Sequence, residues 1–242
     1  MGEVGLLAAL PLILVHVVSP WLAFLDQVPR SRLLSFSGGV AVGLVFLDIM
    51  PELAEQQRVV ERVLGEAPSF LEHHIYLVAI LGLATFYGAD RVVKTSRKQR
   101  REAGLEDMAG QGAFWLSMAV FTLKNTIVGY LLASEEWSLR GLLLFLPAIL
   151  LEFVLSDRAL HEAHRHNYDR IGRWVLAAAV IAGYAVGDRA PLPPVLFAAL
   201  TAFLGGAIIL TTLKEELPDE RQSRFGAFAA GIVVYAILVL AQ

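Results

Sequence analysis

The chain has 242 residues, of which 56% are hydrophobic and only 18% charged, and its mean hydropathy is positive; that balance excludes an ordinary water-soluble domain and points to a life in the bilayer. The net charge of -3 says nothing as a total, while the absence of cysteine excludes disulfides, thiolate metal sites and cysteine nucleophiles. No phosphate-cradling glycine loop occurs, so gradients and not ATP would drive any transport.

Apolar windows close to the roughly 20 residues that a hydrocarbon core demands fall at 4–25, 33–52, 74–91, 113–133, 141–157, 171–187, 195–213 and 225–241. They predict an all-α, polytopic membrane protein with eight transmembrane helices, forming a single domain over 1–242 because no polar stretch is long enough for a soluble one. The first window is expected to stay in the mature protein, since "MGEVG" carries an acid and no base and no small-x-small cleavage pattern follows.

Lysine and arginine alternate in density from loop to loop. One set of connections holds Arg30 and Arg32, the run "RVVKTSRKQRR" at 91–101, Arg158, Arg165, Arg170 and Arg173, and then Lys214, Arg221 and Arg224; the other holds only Arg58, Arg62, Arg140 and Arg189. The positive-inside rule then puts both termini outside and a basic loop at about 92–112 in the cytoplasm, of a bacterial inner or plasma membrane. We read that run as a topology signal, with no nucleic-acid partner.

The second window closes as "SGGVAVGLVFLDIMPE" (37–52) and the seventh as "LGGAIILTTLKEELPD" (204–219). Each has a Gly-Gly pair, an apolar run, and then acid-x-x-Pro-acid. The topology gives the two copies opposite directions, so spans 1–3 and 6–8 are expected to form an inverted repeat around a central pair, spans 4 and 5, as secondary transporters often do. The glycines (Gly38, Gly39, Gly205, Gly206) let a neighbouring helix approach closely, and Pro51 and Pro218 free a carbonyl one turn back. Asp48 and Glu52, like Glu215 and Asp219, are four residues apart on one helical face and suit a hard or borderline cation. For Glu52, Glu216 and Asp219 a plain helix-end role fits as well; Asp48 and Glu215 lie inside apolar windows, where an acid is costly unless paired or solvated.

These features resemble the ZIP (ZRT/IRT-like) metal-ion transporters: eight spans, outside termini, a basic loop after span three, and Gly-Gly to Pro-acid ends on spans two and seven. The resemblance covers nearly the whole chain. It implies that spans four and five carry the transport site, where a His-Asn-x-x-Asp-Gly type motif faces a His-Glu motif around a divalent metal, zinc being the first expectation. In "LKNTIVGY" (123–130), Asn125 and Gly129 match that motif, but Lys124 replaces the histidine and Val128 the carboxylate. A protonated lysine has no lone pair for a metal and would mimic the cation, with Asp157 or Glu152 as its partner in a central ion pair.

Span five fits the His-Glu motif in two registers, one using Glu152, Ser156 and Asp157 and the other His161 and Glu162. Pro147 is expected to bend it. Asp157, His161 and His164 fall at i, i+4, i+7, a face suited to zinc or another transition ion, although a solvated helix exit fits them equally and fits His166 best. His16 is read as a hydrogen-bonded packing residue. His73 and His74, beside Glu72, are read as marking the outer interface, with weak metal capture as the alternative.

Three functions follow. A secondary transporter of divalent metals (zinc, iron, manganese or similar) would pass them from Asp48 and Glu52 through the span four to five centre to Glu215, Asp219 and His161 by alternating access. A homologue in which Lys124 replaces the central metal would carry protons or another substrate, or transport nothing, and would hold no metal at the centre. An intramembrane zinc hydrolase built from Ser156, Asp157, His161, Glu162 and His164 ranks last, because "HEAH" departs from His-Glu-x-x-His. The expected partners are the lipid bilayer, metal ions and, through small-residue faces, a second copy in a homodimer.

Overall fold

The computed structural model describes residues 2–21, 32–65, 74–134, 137, 139–216 and 224–241. Among them every regular element is helical, as expected of a chain whose backbone N–H and C=O groups must be paired within each segment in lipid. The helices are α1 (Gly2–Val18), α2 (Arg32–Leu44), α3 (Met50–Leu64), α4 (His74–Glu102), α5 (Gln111–Ser134), α6 (Leu139–Asn167), α7 (Arg173–Gly187), α8 (Pro194–Glu216) and α9 (Phe225–Leu240). Among the described residues, five helical segments are long and apolar enough to cross a membrane: Ser35–Leu64, His74–Glu102, Gln111–Ser134, Phe145–Gly187 and Pro194–Lys214. The first and last expected windows fall on shorter apolar helices, Gly5–Trp21 and Phe225–Leu240, and windows five and six share the 43-residue segment Phe145–Gly187.

Among the described residues two π-helical turns interrupt the α-helices, and the first has a cause in the sequence. Pro51 has no N–H and its ring crowds the carbonyl four residues back, that of Leu47. The chain absorbs this by widening over Val45–Ile49, where the Met50 N–H donates to the Val45 carbonyl five residues back. The helix therefore does not stop near 52, as a plain helix-end reading of Pro51 requires, but continues as α3 to Leu64. The second π turn, Tyr168–Gly172, joins α6 to α7 just after Arg165, whose positive φ of 35° marks a kink inside α6. Pro147 lies inside α6 without ending it.

The helices group into two compact units. Unit one contains Met1–Phe24, Thr85–Trp137 and Phe153–Ala190. Within it α5 and α7 pack backbone to backbone: a Cβ on Gly129 would overlap the Val180 carbonyl oxygen, and one on Gly183 would overlap that of Thr126. Its apolar core includes Phe114, Met118, Leu160, Tyr168 and Leu176. The stretch expected as a basic loop is largely helical, since α4 runs to Glu102. The true loop beyond it is held down by Ala109 N–H donating to Ala163 O at 2.9 Å and Gly110 N–H donating to Ser96 Oγ at 2.8 Å. Arg97 bonds both Asp107 oxygens, at 3.1 and 3.2 Å, and Glu162 at 3.0 Å.

Unit two contains Leu25–Ala84, Ser138–Glu152 and Pro191–Gln242. Its apolar core includes Leu53, Val60, Ile75, Ala79, Ala198 and Ala202. Two helix pairs touch here through one repeated device. On α2 and α9, a Cβ on Gly39 would overlap the Phe228 carbonyl oxygen, and one on Gly231 would overlap that of Phe36. On α8 and α4, Gly206 stands in the same relation to Ala79, and Gly82 to Phe203. Each glycine follows by three residues the carbonyl that meets its partner glycine. Packing thus joins the second window to the eighth and the third to the seventh.

Candidate functional site

Five buried polar residues of unit one gather where α1, α5 and α6 approach. Lys124 and Asn125 on α5, Ser156 and Asp157 on α6, and His16 on α1 are each at most 7% exposed. Lys124 Nζ donates to Ser156 Oγ at 3.0 Å and lies over two aromatic rings, 4.9 Å from the centroid of Phe121 and 5.2 Å from that of Phe153. An ammonium against ring faces is held by their quadrupoles, most strongly when water is excluded.

Asp157 has both carboxylate oxygens at 2.8 and 2.9 Å from His16 Nδ1, and the opposite ring nitrogen, Nε2, is 2.9 Å from Asn125 Nδ2. When Asn125 donates to Nε2, the Nδ1–H of the ring goes to the carboxylate, a relay of amide, imidazole and carboxylate across three helices. Asn125 Oδ1 is buried and has no hydrogen-bond partner, which turns of the amide would exchange with Nδ2. Tyr168, fully buried, closes the far side: its hydroxyl lies 3.3 Å from Ser19 Oγ and interacts with Asp157. Arg173 donates to the Val17 carbonyl at 3.1 Å, tying α7 to the same end of α1.

The other expected ligands are engaged elsewhere. His161 Nδ1 pairs with Asp169 Oδ1 at 2.8 Å, Glu162 accepts from Arg97, and His164 Nε2 lies 3.2 Å from Ser117 Oγ. Ser117 Oγ already donates to Ala113 O, so His164 donates from Nε2 and its buried Nδ1 keeps a lone pair without a hydrogen-bond partner. Asp157, His161 and His164 thus share a helix but hydrogen-bond different groups, and the Tyr168 ring that closes the Asp157 end also meets His161 edge-on. The five residues of the hydrolase reading are dispersed in the same way. Among the described residues no three His, Asp or Glu side chains converge on a site that would hold a metal ion. Glu152 is buried in unit two, with Thr211 Oγ1 3.5 Å from its carboxylate.

Asp48 lies in the π turn Val45–Ile49 and accepts a hydrogen bond from the Tyr235 hydroxyl on α9. Glu52 accepts from Gln56 Nε2, one turn further along α3. The two acids therefore have different partners, although the helix carries both. Glu215 lies on α8, its side chain outside the described residues; Asp219, Pro218 and His73 also lie outside them.

Outside the spans, the hydrogen bond from Arg97 holds the Asp107 carboxyl below its usual range. Sequence reasoning missed Tyr235, Tyr168 and Phe153, and it set His16 apart from the site. The signal in His16 was available: a lone imidazole in mid-span needs a polar partner. No family model matches this chain, and no curated protein matches it.

Proposed function

We propose that the chain is a ZIP-like secondary transporter whose centre is filled by its own charges, Lys124 standing in the metal's place, and that the ion it moves is the proton. The observation that carries this reading is the buried Asp157–His16–Asn125 relay on the same stretch of α5 and α6 as the Lys124 ammonium. An imidazole bonded to a carboxylate on one side and an amide on the other can take up a proton and keep both bonds. In the neutral ring Asn125 donates through Nδ2; in the imidazolium a turned amide accepts through Oδ1. A divalent metal would need the Asp157 oxygens that His16 occupies and finds an ammonium where the resemblance puts a histidine.

The inverted repeat is part of this proposal. Gly39 and Gly206, the second glycines of the two matching segments, each meet a carbonyl of a partner helix that returns a glycine three residues later. Equivalent contacts on the second and seventh spans are what two inverted copies would make. The membrane setting agrees, with five helical segments of spanning length and apolar side chains such as Leu77, Ile80, Leu81, Val233 and Ile237 on the outside of α4 and α9.

Proteoliposomes carrying an internal pH dye and, separately, an internal metal dye test it. Purified protein is expected to pass protons at a rate that His16→Ala and Asp157→Asn each lower at least tenfold, with no saturable entry of zinc, iron, manganese or cadmium. Saturable metal entry through the unaltered protein would overturn the reading in favour of divalent-metal transport. Proton flux indifferent to both substitutions would overturn it in favour of a protein that transports nothing through this site.

A further inference from the structure

We propose that the Lys124 side chain is the built-in occupant of an ammonium-binding cage, and that the cage, once emptied of it, binds a primary alkylammonium in preference to a divalent metal. The inference deepens the reading of the centre as a monovalent-cation site and does not depend on any flux.

Three walls of the cage lie within unit one. Phe121 on α5 and Phe153 on α6 present their rings 4.9 and 5.2 Å from Nζ, and Ser156 Oγ accepts its proton at 3.0 Å. Both rings are braced from behind. Phe121 is met edge-on by Phe86 of α4 with centroids 5.3 Å apart, and Phe153 packs against the His16 ring at 5.1 Å. Lys124 is 1% exposed, Phe153 is fully buried and Phe121 is half-buried, so the Nζ site is shielded and its walls are in place before any ligand arrives.

Such walls select by chemistry. An ammonium is held by ring quadrupoles and one or a few hydroxyl acceptors, and its aliphatic stem lies against apolar surface. Zinc needs imidazole, thiolate or carboxylate donors, and magnesium or calcium a shell of oxygens, none of which two phenyl rings provide. A primary amine also reproduces the shape of what it replaces. Truncating Lys124 to alanine deletes three methylenes and the terminal nitrogen, which is n-propylammonium.

The test is thermal unfolding of purified Lys124→Ala protein in detergent, titrated with n-propylammonium chloride, n-propanol and zinc chloride at constant ionic strength. We expect a saturable rise in Tm with n-propylammonium at a half-saturating concentration at least tenfold below that for n-propanol, and none with zinc. The unaltered protein, its cage occupied, should show no saturable rise, and Lys124→Ala combined with Phe121→Leu should lose most of the response. Equal responses to the amine and the alcohol, or a response to zinc alone, would overturn the proposal. Should Lys124→Ala not fold unaided, the readout becomes the yield of folded protein prepared with each additive. Recovery with n-propylammonium alone supports the cage, whereas recovery with both or with neither overturns it.

Discussion

Replacing His16 with alanine should expose how much of the centre rests on one imidazole. The substitution removes a hydrogen bond to both oxygens of Asp157, which is fully buried, and strips Asn125 Nδ2 of its acceptor at the same time. A hydrogen bond to a charged group contributes about 1.5–3 kcal/mol, and a buried group left unsatisfied adds about 1–3 kcal/mol. Interhelical hydrogen bonds within membranes average only about 0.6 kcal/mol and reach about 1.7, because a loosened side chain usually finds another partner. Here the shell around the carboxylate is rigid and the ring spans α1 and α6, so we expect His16→Ala to cost about 3 kcal/mol. In a double-mutant cycle with Asp157→Ala, about 2 kcal/mol should appear as coupling. The assay is reversible unfolding in mixed micelles followed by circular dichroism. A coupling of about 0.5 kcal/mol or less would refute the reasoning, because the pair would then be no better than an average membrane contact.

Valine at Gly39 or at Gly206 should cost similar amounts, about 1–3 kcal/mol each by overpacking against a backbone carbonyl, while valine at Gly88, where a Cβ meets open space, should cost little; unfolding midpoints check this. Tyr235→Phe leaves the Asp48 carboxylate without its phenol donor and should destabilise by about 1–2 kcal/mol, with Asp48→Asn combined with it adding less than the sum, as a cycle in the same assay would read. Asp107 offers a pH test. Its carboxyl is held below the ordinary value of 3.8 by Arg97, so the clamp it contributes is complete above that value and is lost as pH falls through the lower folded one. Protease nicking of the 103–110 loop by an acid-active enzyme should therefore rise as pH drops below about 4. Asp107→Asn should show the raised nicking already at pH 6.

Much of the architecture could be read from residues because in lipid the backbone has few choices. Long apolar windows must be helices, and those at 33–52, 74–91, 113–133 and 195–213 coincide with spanning-length segments. Local chemistry was equally readable at Pro51, whose missing N–H predicts a loosened turn beside Asp48, and a π turn is what the helix forms there. Lys124 stood out for the same kind of reason, a charge in mid-span being too costly to be idle, whereas Asn125 was singled out only by the resemblance.

Partners were another matter. Asp157 bonds His16, 141 residues away, and Asp48 bonds Tyr235 across 187 residues. Spacing along a helix says which side chains share a face and nothing about which helix that face will meet. The i, i+4, i+7 pattern of Asp157, His161 and His164 was therefore real as a pattern but not as a site, since tertiary packing gave each residue a different neighbour. What the sequence settled was where polar groups had to sit and that they had to be satisfied. Which groups satisfy them was decided by helix pairing, through glycines that admit a backbone at close range and so choose the faces that touch.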